Sequence, residues 1–171
     1  MVKKCLTCSS TELNDDEVPD WVKKAGEDDL LPSILTKKYD LSKKKSLKNY
    51  KPEITDREVE ITIKDKKNKD TWVLYWASNP YDRKKPSLID DAEKSYDNYN
   101  NHGLVKTDSK GKAKLVLSCP QIYSVDEVVY PRHIHYTFEK KDKWDKKIRT
   151  HSVTCKIDYE DLQEILKNNR T

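Results

Sequence analysis

The pattern of apolar positions along the chain changes between residues 52 and 58. Before this point neither a helical nor a strand period is sustained, and Pro19, Pro32 and Pro52 interrupt the chain. We therefore predict an extended N-terminal arm over residues 1–52 that contains at most one short helix.

From Glu58 onward the pattern is that of β-strands. Val59, Ile61 and Ile63 alternate with charged residues, which is typical of a strand with one buried face. Residues 71–77 form a continuous apolar run, as a strand buried on both faces would show. Further strands are predicted at residues 113–119, 132–139 and 148–157.

After the arm, a helix is predicted only at the end of the chain, and no strand-helix-strand alternation is visible. Asp158 can cap this helix, whose apolar face consists of Tyr159, Leu162, Ile165 and Leu166. Five or more strands followed by one helix predict an all-β fold, a β-sandwich over residues 53–171 with a C-terminal helix.

Two connections stand out between the predicted strands. Residues 78–106 are rich in Asn, Asp, Pro and Tyr, and a connection of this length inside a domain is usually functional. Residues 107–112 are predicted to form a tight turn, either in a hairpin or in a strand-turn-strand unit. His102 is expected to lie in a turn of the long connection.

Charge is distributed unevenly. Residues 1–35 carry four Lys against eight Asp and Glu, whereas residues 36–52 carry seven Lys against one Asp. Lys43, Lys44 and Lys45 could contact nucleic acid or an acidic partner, or belong to a solvated linker. Aromatic residues do not alternate with these lysines as a base-stacking platform requires, so nucleic acid is not an expected partner.

The compartment is predicted from the hydropathy of the chain and from its cysteines. No apolar run approaches the roughly 20 residues that span a bilayer, and no signal-peptide core is visible after Met1. We expect no membrane partner and a cytoplasmic or virion location without Sec export. The four cysteines are then expected to be free thiols or ligands, with Cys119 and Cys155 buried. Cys5 and Cys8 form one CxxC, which leaves a zinc or redox role and an ordinary thiol pair both open.

The main candidate for chemistry is His133-Ile134-His135. In a strand, residues i and i+2 project from the same face, so both imidazoles can reach one metal ion while Ile134 points into the core. Imidazole suits zinc, copper, iron and nickel, so the spacing alone does not choose the metal.

The surrounding motifs narrow that choice. Residues 120–123 read Pro-Gln-Ile-Tyr, and residues 130–136 read Tyr-Pro-Arg-His-Ile-His-Tyr. Upstream, residues 74–81 (LYWASNPY) and 107–111 (TDSKG) complete a series of four motifs. In this order the four motifs resemble the intradiol ring-cleavage dioxygenases, and the resemblance covers about residues 58–157.

The resemblance implies a ferric, non-haem iron site in a β-sandwich that cleaves a catechol-like ring with dioxygen. It makes Tyr81, Tyr123, His133 and His135 the metal ligands. A ferric ion lowers the pKa of a phenol from about 10, so that tyrosine can bind as an anion at neutral pH. By analogy Tyr123 is the ligand displaced when the catecholate binds.

The sequence also departs from the family pattern. Tyr130 stands where the family commonly has an Arg facing the substrate, while Arg132 lies beside His133 and is the nearest candidate for that catalytic role. Strand alternation points Arg132 away from the two histidines. The Gln expected on the following strand is missing, and Thr150 or His151 stands near its place.

Two functional hypotheses result. The first is an iron(III) dioxygenase with a catechol-like small molecule and O2 as substrates. The second is a non-catalytic β-sandwich that serves as a structural or assembly component, for example a minor capsid or virion protein, whose N-terminal arm docks on a protein partner. The Lys-rich, Asn-rich and Gly-poor composition suits an AT-rich genome such as that of a large DNA virus.

Overall fold

The fold is taken from a computed structural model that describes residues 31–55, 57–80 and 92–155. Three predictions lie outside the described residues: the C-terminal helix from Asp158, the Cys5–Cys8 pair and the ligand Tyr81. Within the described ranges the chain is mostly β-strand, as predicted, and the strands pair antiparallel; the few short helices include one in the connection 78–106, where none was predicted.

The elements, in chain order, are two short helical segments, two strands, a helix and seven further strands in the described part of the chain. They are α1 (Ser33–Lys38), a 3₁₀ helix (Leu41–Ser46), β1 (Glu58–Lys64), β2 (Trp72–Ala77), α2 (Ala92–Tyr96), β3 (His102–Lys106), β4 (Lys112–Ser118), β5 (Tyr123–Val125), β6 (Val128–Tyr130), β7 (His133–Lys140), β8 (Lys143–Trp144) and β9 (Arg149–Ser152).

The strands form one larger sheet and two pairs, all antiparallel. In the larger sheet β3 pairs with β2 and β2 pairs with β7; the other edge of β7 is shared by β8 and β9. β1 pairs with β4 over its full length, and β5 pairs with β6. The central strand β7 therefore connects most of the fold.

The apolar pattern of β1 and β4 explains how the two main sheets pack. Val59, Ile61 and Ile63 on β1 and the inward residues of β4 cover one face of the larger sheet, where they meet Ile134, Tyr136 and Phe138. Ile134 is fully buried and points into this core, as strand alternation predicted.

The opposite face of the larger sheet is covered by part of the predicted arm. Leu35, Tyr39 and Leu41 pack against Trp72, Leu74 and Leu104. The Trp144 indole N–H donates to the Tyr39 carbonyl over 2.9 Å, and Tyr50 forms a backbone bridge with Leu104. Residues 31–52 thus fold onto the sheet, while the domain boundary at residue 52 stays a prediction.

One lysine of the basic segment pairs within the chain. Lys44 forms an ion pair with Glu139, a buried carboxylate on β7 that also accepts from the Trp72 backbone N–H. Lys44 therefore helps to hold the 3₁₀ helix against the sheet. A contact of Lys43 or Lys45 with an acidic partner stays a prediction.

The long connection contains more structure than predicted. His102 begins strand β3 rather than lying in a turn, because β3 completes the edge of the larger sheet beside β2. Residues 107–112 join β3 to β4, which pair with different strands, so the unit is strand-turn-strand and not a hairpin. A hairpin forms instead from β5 and β6, whose turn residues Asp126 and Glu127 have positive φ.

Cys119 and Cys155 form a disulfide, so the prediction of free thiols is wrong for this pair, whereas Cys119 is buried as predicted and Cys155 is partly buried. Each lies just beyond the end of a strand, β4 and β9, and the bridge joins points 36 residues apart in sequence. Sequence alone could not show that two distant strand ends meet. Disulfides persist in oxidising environments, so this pair favours such a setting over a reducing cytosol.

No helix in the described ranges is long and apolar enough to cross a membrane.

Gly103 on β3 is required by its cross-strand partner Tyr75. A Cβ at residue 103 would lie 2.1 Å from the Tyr75 ring, and the Tyr75 hydroxyl is held at the Val116 backbone on β4. We expect Gly103→Ala to lower the free energy of unfolding by about 1–3 kcal/mol in chemical denaturation. The double variant with Tyr75→Leu should lose less than the two single variants summed, and strict additivity would contradict the clash.

His102 ties the N-terminal segment to the sheet as a neutral ring. Its Nδ1–H donates to the Tyr99 carbonyl over 2.6 Å, and its Nε2 accepts from the Tyr39 hydroxyl over 2.7 Å. Burial, followed by the charges of nearby tyrosines, raises the pKa of Tyr39 to about 12, so its hydroxyl keeps the proton it donates. Burial is also the main cause that lowers the pKa of His102 below 6.5.

The lowered pKa of His102 makes stability depend on pH. Below about pH 6.5 the unfolded chain binds a proton at this histidine and the folded chain does not. The free energy of unfolding therefore decreases as the pH is lowered, by at most about 1.4 kcal/mol per pH unit for each such histidine. We expect denaturation between pH 7.5 and 5.5 to show this decline and His102→Gln to reduce it. The same decline in wild type and variant would contradict the assignment.

Candidate metal centre

Strand alternation places both histidines of β7 on the face opposite Ile134. His133 is 2% exposed and His135 is fully buried, and their Nε2 atoms lie 3.1 Å apart. The predicted convergence of the two imidazoles is therefore present. This face of the sheet is the one covered by the N-terminal segment, α2 and the β5–β6 hairpin.

Two tyrosine hydroxyls join the imidazoles. Tyr123, at the start of β5, places its hydroxyl 3.1 Å from His133 Nε2, as the predicted ligand set requires. Tyr96, at the end of α2, places its hydroxyl 3.0 Å from that of Tyr123 and 3.2 Å from His133 Nε2. We call Tyr96, Tyr123, His133 and His135 the Tyr2His2 cluster.

Tyr96 was not among the predicted ligands, and the predicted ligand Tyr81 lies outside the described residues. Both residues lie in the connection 78–106, whose length marked it as functional, together with Tyr99. Composition and spacing do not distinguish these three tyrosines. The position of Tyr96 depends on a short helix that returns to the sheet, and this return is a tertiary feature.

Buried polar contacts hold α2 where Tyr96 can reach the cluster. The Asn79 backbone N–H donates to the Ser95 carbonyl over 2.8 Å, and its side-chain amide donates to the Tyr96 carbonyl over 3.2 Å. The Gln121 side-chain amide donates to the same Ser95 carbonyl over 3.3 Å. The end of β2 and the segment before β5 thus bind the last turn of α2.

A second set of contacts ties these segments to the ends of β2 and β4. The Asn101 amide donates to the carbonyls of Ser78 and Ser118, each over 2.9 Å, and its carbonyl accepts from the Ser118 N–H. The Ser78 hydroxyl donates to the Gln121 carbonyl over 2.8 Å. Because buried polar groups are costly when unpaired, this network favours one arrangement of the segments that carry Tyr96 and Tyr123.

Hydrogen bonds on the far side of the imidazoles orient their rings. His133 Nδ1–H donates to the Pro131 carbonyl over 2.6 Å, so the neutral ring presents the lone pair of Nε2 to the other members of the cluster. His135 Nδ1 lies 2.8 Å from the Thr150 hydroxyl on β9. Metal-ligating histidines typically carry such a partner on the second ring nitrogen.

Aromatic rings enclose the cluster. Tyr130 stacks on Tyr123 with ring centroids 5.4 Å apart and an interplanar angle of 23°. Trp76 lies against His135 at 5.9 Å, and Tyr99 lies against Tyr96 at 5.7 Å. These apolar surfaces strengthen electrostatic interactions inside the cluster.

The donor set fits a metal ion. Two ligand atoms that each lie about 2.0–2.1 Å from a metal, with a ligand–metal–ligand angle of about 90–109°, are about 2.8–3.4 Å from each other. The neighbouring oxygen and nitrogen atoms of the cluster are 3.0–3.2 Å apart. The described ranges, the cluster included, contain no group of three or more His, Cys, Asp or Glu side chains that could hold a metal, so the cluster's donor set relies on its two tyrosines. The cluster also satisfies hydrogen-bond distances, so it is compatible with a metal-free state.

Arg132, Thr150 and His151, the remaining candidate residues, lie on or next to strands β7 and β9. Arg132 is half-buried just before β7, where its carbonyl accepts from the Val153 N–H, and its catalytic role stays a prediction. His151 pairs in register with Ile134, on the face opposite the cluster, and its Nδ1–H donates to the Ser152 carbonyl. Thr150, and not His151, is thus the β9 residue that reaches the cluster.

Comparison of the chain with protein-family models gives no match. Searches of curated proteins and of solved structures give no match either.

The hydrogen bonds to α2 give a prediction about Tyr96. Asn79→Ala removes the donor to the Tyr96 carbonyl, so we expect faster amide exchange in residues 93–97 and weaker ring contacts between Tyr96 and Tyr123 in nuclear Overhauser spectra. Asn68→Ala is the matched control, because it also removes one side-chain amide donor, the one to Asp65 in the turn after β1. Equal exchange in residues 93–97 of both variants would show that Asn79 does not position Tyr96.

Proposed function

We propose that the protein is an intradiol-type, iron(III)-dependent dioxygenase that cleaves a catechol-like ring with O2. The observation that carries the proposal is that two phenol oxygens and the Nε2 atom of His135 all lie within 3.2 Å of the buried His133 Nε2. The resemblance of the motifs at residues 74–81, 107–111, 120–123 and 130–136 supports the same function. The all-β core, in which β1 and β4 cover one face of the larger sheet, is compatible with the sandwich of that family.

The chemistry of the ligands supports iron in its ferric state. Phenolate oxygens are hard, anionic donors that favour a highly charged cation, and imidazole is a common ligand of iron. Tyr96, Tyr123, His133 and His135 would hold the ion. When bound, ferric iron supplies a Lewis-acidic centre that takes up a catecholate and makes it reactive toward dioxygen.

The chain's own residues have separable roles in this proposal. The Pro131 carbonyl orients His133, and the polar network around Asn79 and Gln121 orients Tyr96. Tyr130 replaces the arginine that faces the substrate in the family, and its stacking on Tyr123 restrains the ring that the resemblance predicts to be displaced.

Ferric iron added to the purified protein tests the proposal. We expect one iron per chain and a tyrosinate-to-iron absorption band in the visible range that shifts when catechol is added. Oxygen uptake with catechol should then depend on iron. A correctly folded protein that remains colourless with ferric iron would falsify the proposed function.

Matched phenylalanine variants identify the second tyrosine ligand. Tyr96 is supported by the geometry of the cluster and Tyr81 by the family motif. We expect Tyr96→Phe and Tyr123→Phe each to change the charge-transfer band and to lower iron affinity at least tenfold, whereas Tyr81→Phe should leave both close to wild type. The reverse result would assign the position to Tyr81 and not to Tyr96.

The second candidate function is a non-catalytic structural or assembly protein, such as a virion component. Two observations favour it: the Tyr2His2 side chains are at most 4% exposed, and Tyr130 is stacked on the ring expected to move. In this case the cluster cross-links α2, β5 and β7 through hydrogen bonds or through a bound metal. Iron binding without catechol-dependent oxygen uptake would support this function over the dioxygenase.

A further inference from the structure

One row of side chains crosses the larger sheet at the cluster. Trp76 on β2 pairs in register with His102 on β3 and with His135 on β7, and His135 pairs in turn with Thr150 on β9. Residues that pair directly across antiparallel strands project from the same face. Thr150 therefore lies beside His135 because of the register of β9, and its hydroxyl is 2.8 Å from His135 Nδ1.

The role of this hydroxyl depends on which ring nitrogens of His133 and His135 carry a proton. The Nδ1–H of neutral His133 donates to the Pro131 carbonyl, so its Nε2 presents a lone pair to His135 Nε2 at 3.1 Å. Two lone pairs at that distance repel each other unless a proton or a cation lies between them. Without a metal, His135 must therefore carry its proton on Nε2 and donate it to His133.

A metal reverses the requirement at His135. Nε2 must then direct its lone pair to the ion, so the proton moves to Nδ1 and needs an acceptor on the β9 side. A threonine hydroxyl has one donor and two acceptor lone pairs, so toward a given partner it can either donate or accept, and it changes role by rotating about a single bond. A main-chain carbonyl such as the one facing His133 can only accept.

We propose that Thr150 is a positioning residue for His135, whose hydroxyl donates to Nδ1 in the metal-free protein and accepts from Nδ1–H when the site holds iron. The two histidines then differ in whether their tautomer changes when metal binds. His133 is kept in the metal-binding tautomer by the Pro131 carbonyl, whereas His135 changes tautomer with metal loading. The iron role of Thr150 rests on the proposed function.

The chain offers a matched control in Thr137. It lies on β7 two residues after His135 and is fully buried, and its hydroxyl donates to the Asp145 carbonyl over 2.6 Å. Thr137→Val and Thr150→Val therefore make the same chemical change on the same face of the sheet, but the Thr150 hydroxyl bonds to a cluster residue and the Thr137 hydroxyl to a main-chain carbonyl. Thr150→Ser keeps the hydroxyl and tests for rescue.

The first measurement is ferric iron affinity, by competition with a chelator. We expect Thr150→Val to weaken it about 10–100-fold, while Thr150→Ser and Thr137→Val stay within about threefold of wild type. The second measurement follows the ring nitrogens of 15N-labelled histidine by NMR, with gallium(III) as the diamagnetic probe for ferric iron. The His135 proton should be on Nε2 without metal and on Nδ1 with gallium.

The outcomes separate the two proposals. Iron affinity that is equal in wild type and Thr150→Val, or an equal loss in Thr137→Val, overturns the role of Thr150 and leaves the proposed function standing. A His135 proton on Nδ1 in the metal-free wild type overturns the change of tautomer. Wild-type protein that takes up no iron overturns the proposed function, and the iron role of Thr150 with it.

Discussion

The alternation of side chains along β7 is the constraint on which the rest of the structure depends. Because neighbouring residues point to opposite faces, Ile134 enters the core under β1 and β4 while His133 and His135 face the other layer. The pairing register of β7 therefore determines both the packing of Ile134 in the core and the position of the two histidines in the cluster. A shift of β7 by one residue would bury the imidazoles among aliphatic side chains and expose the isoleucine to the cluster.

The layer that covers the histidines consists of short helices and one short hairpin. α1, the 3₁₀ helix, α2 and the β5–β6 hairpin are each too short to be stable alone. They are held by specific polar contacts to the sheet, such as Tyr39 to His102 and Asn79 to the end of α2. The cluster therefore combines a rigid half on β7 with a half whose position depends on these contacts.

The spacing of atoms in the cluster suits two kinds of interaction. Its separations of 3.0–3.1 Å are compatible with hydrogen bonds and also with neighbouring ligands of one metal ion. Metal binding at this cluster is our proposal. The disulfide from Cys119 to Cys155 links the end of β4 to the end of β9. It therefore connects the segment that carries Gln121 with the strand that carries Thr150.

The sequence by itself determined the strands with clear periodicity and the chemistry they carry. Alternation identified β1, an apolar run identified β2, the tight turn at residues 107–112 identified β4, and the spacing of His133 and His135 identified a shared face, because these signals are local. Tyr123 came from the resemblance of its motif. Each of these residues could be named without knowing what lies opposite it.

Only the tertiary structure decided which distant groups meet. Tyr96, Thr150 and the Cys119–Cys155 pair come from separate parts of the chain, and each reaches its place through strand pairing or a returning helix. β3 was missed for the same reason, since His102 and Gly103 have weak strand signals and depend on Trp76 and Tyr75 across the sheet. Long-range pairing depends on the whole fold, which a local pattern of residues does not record.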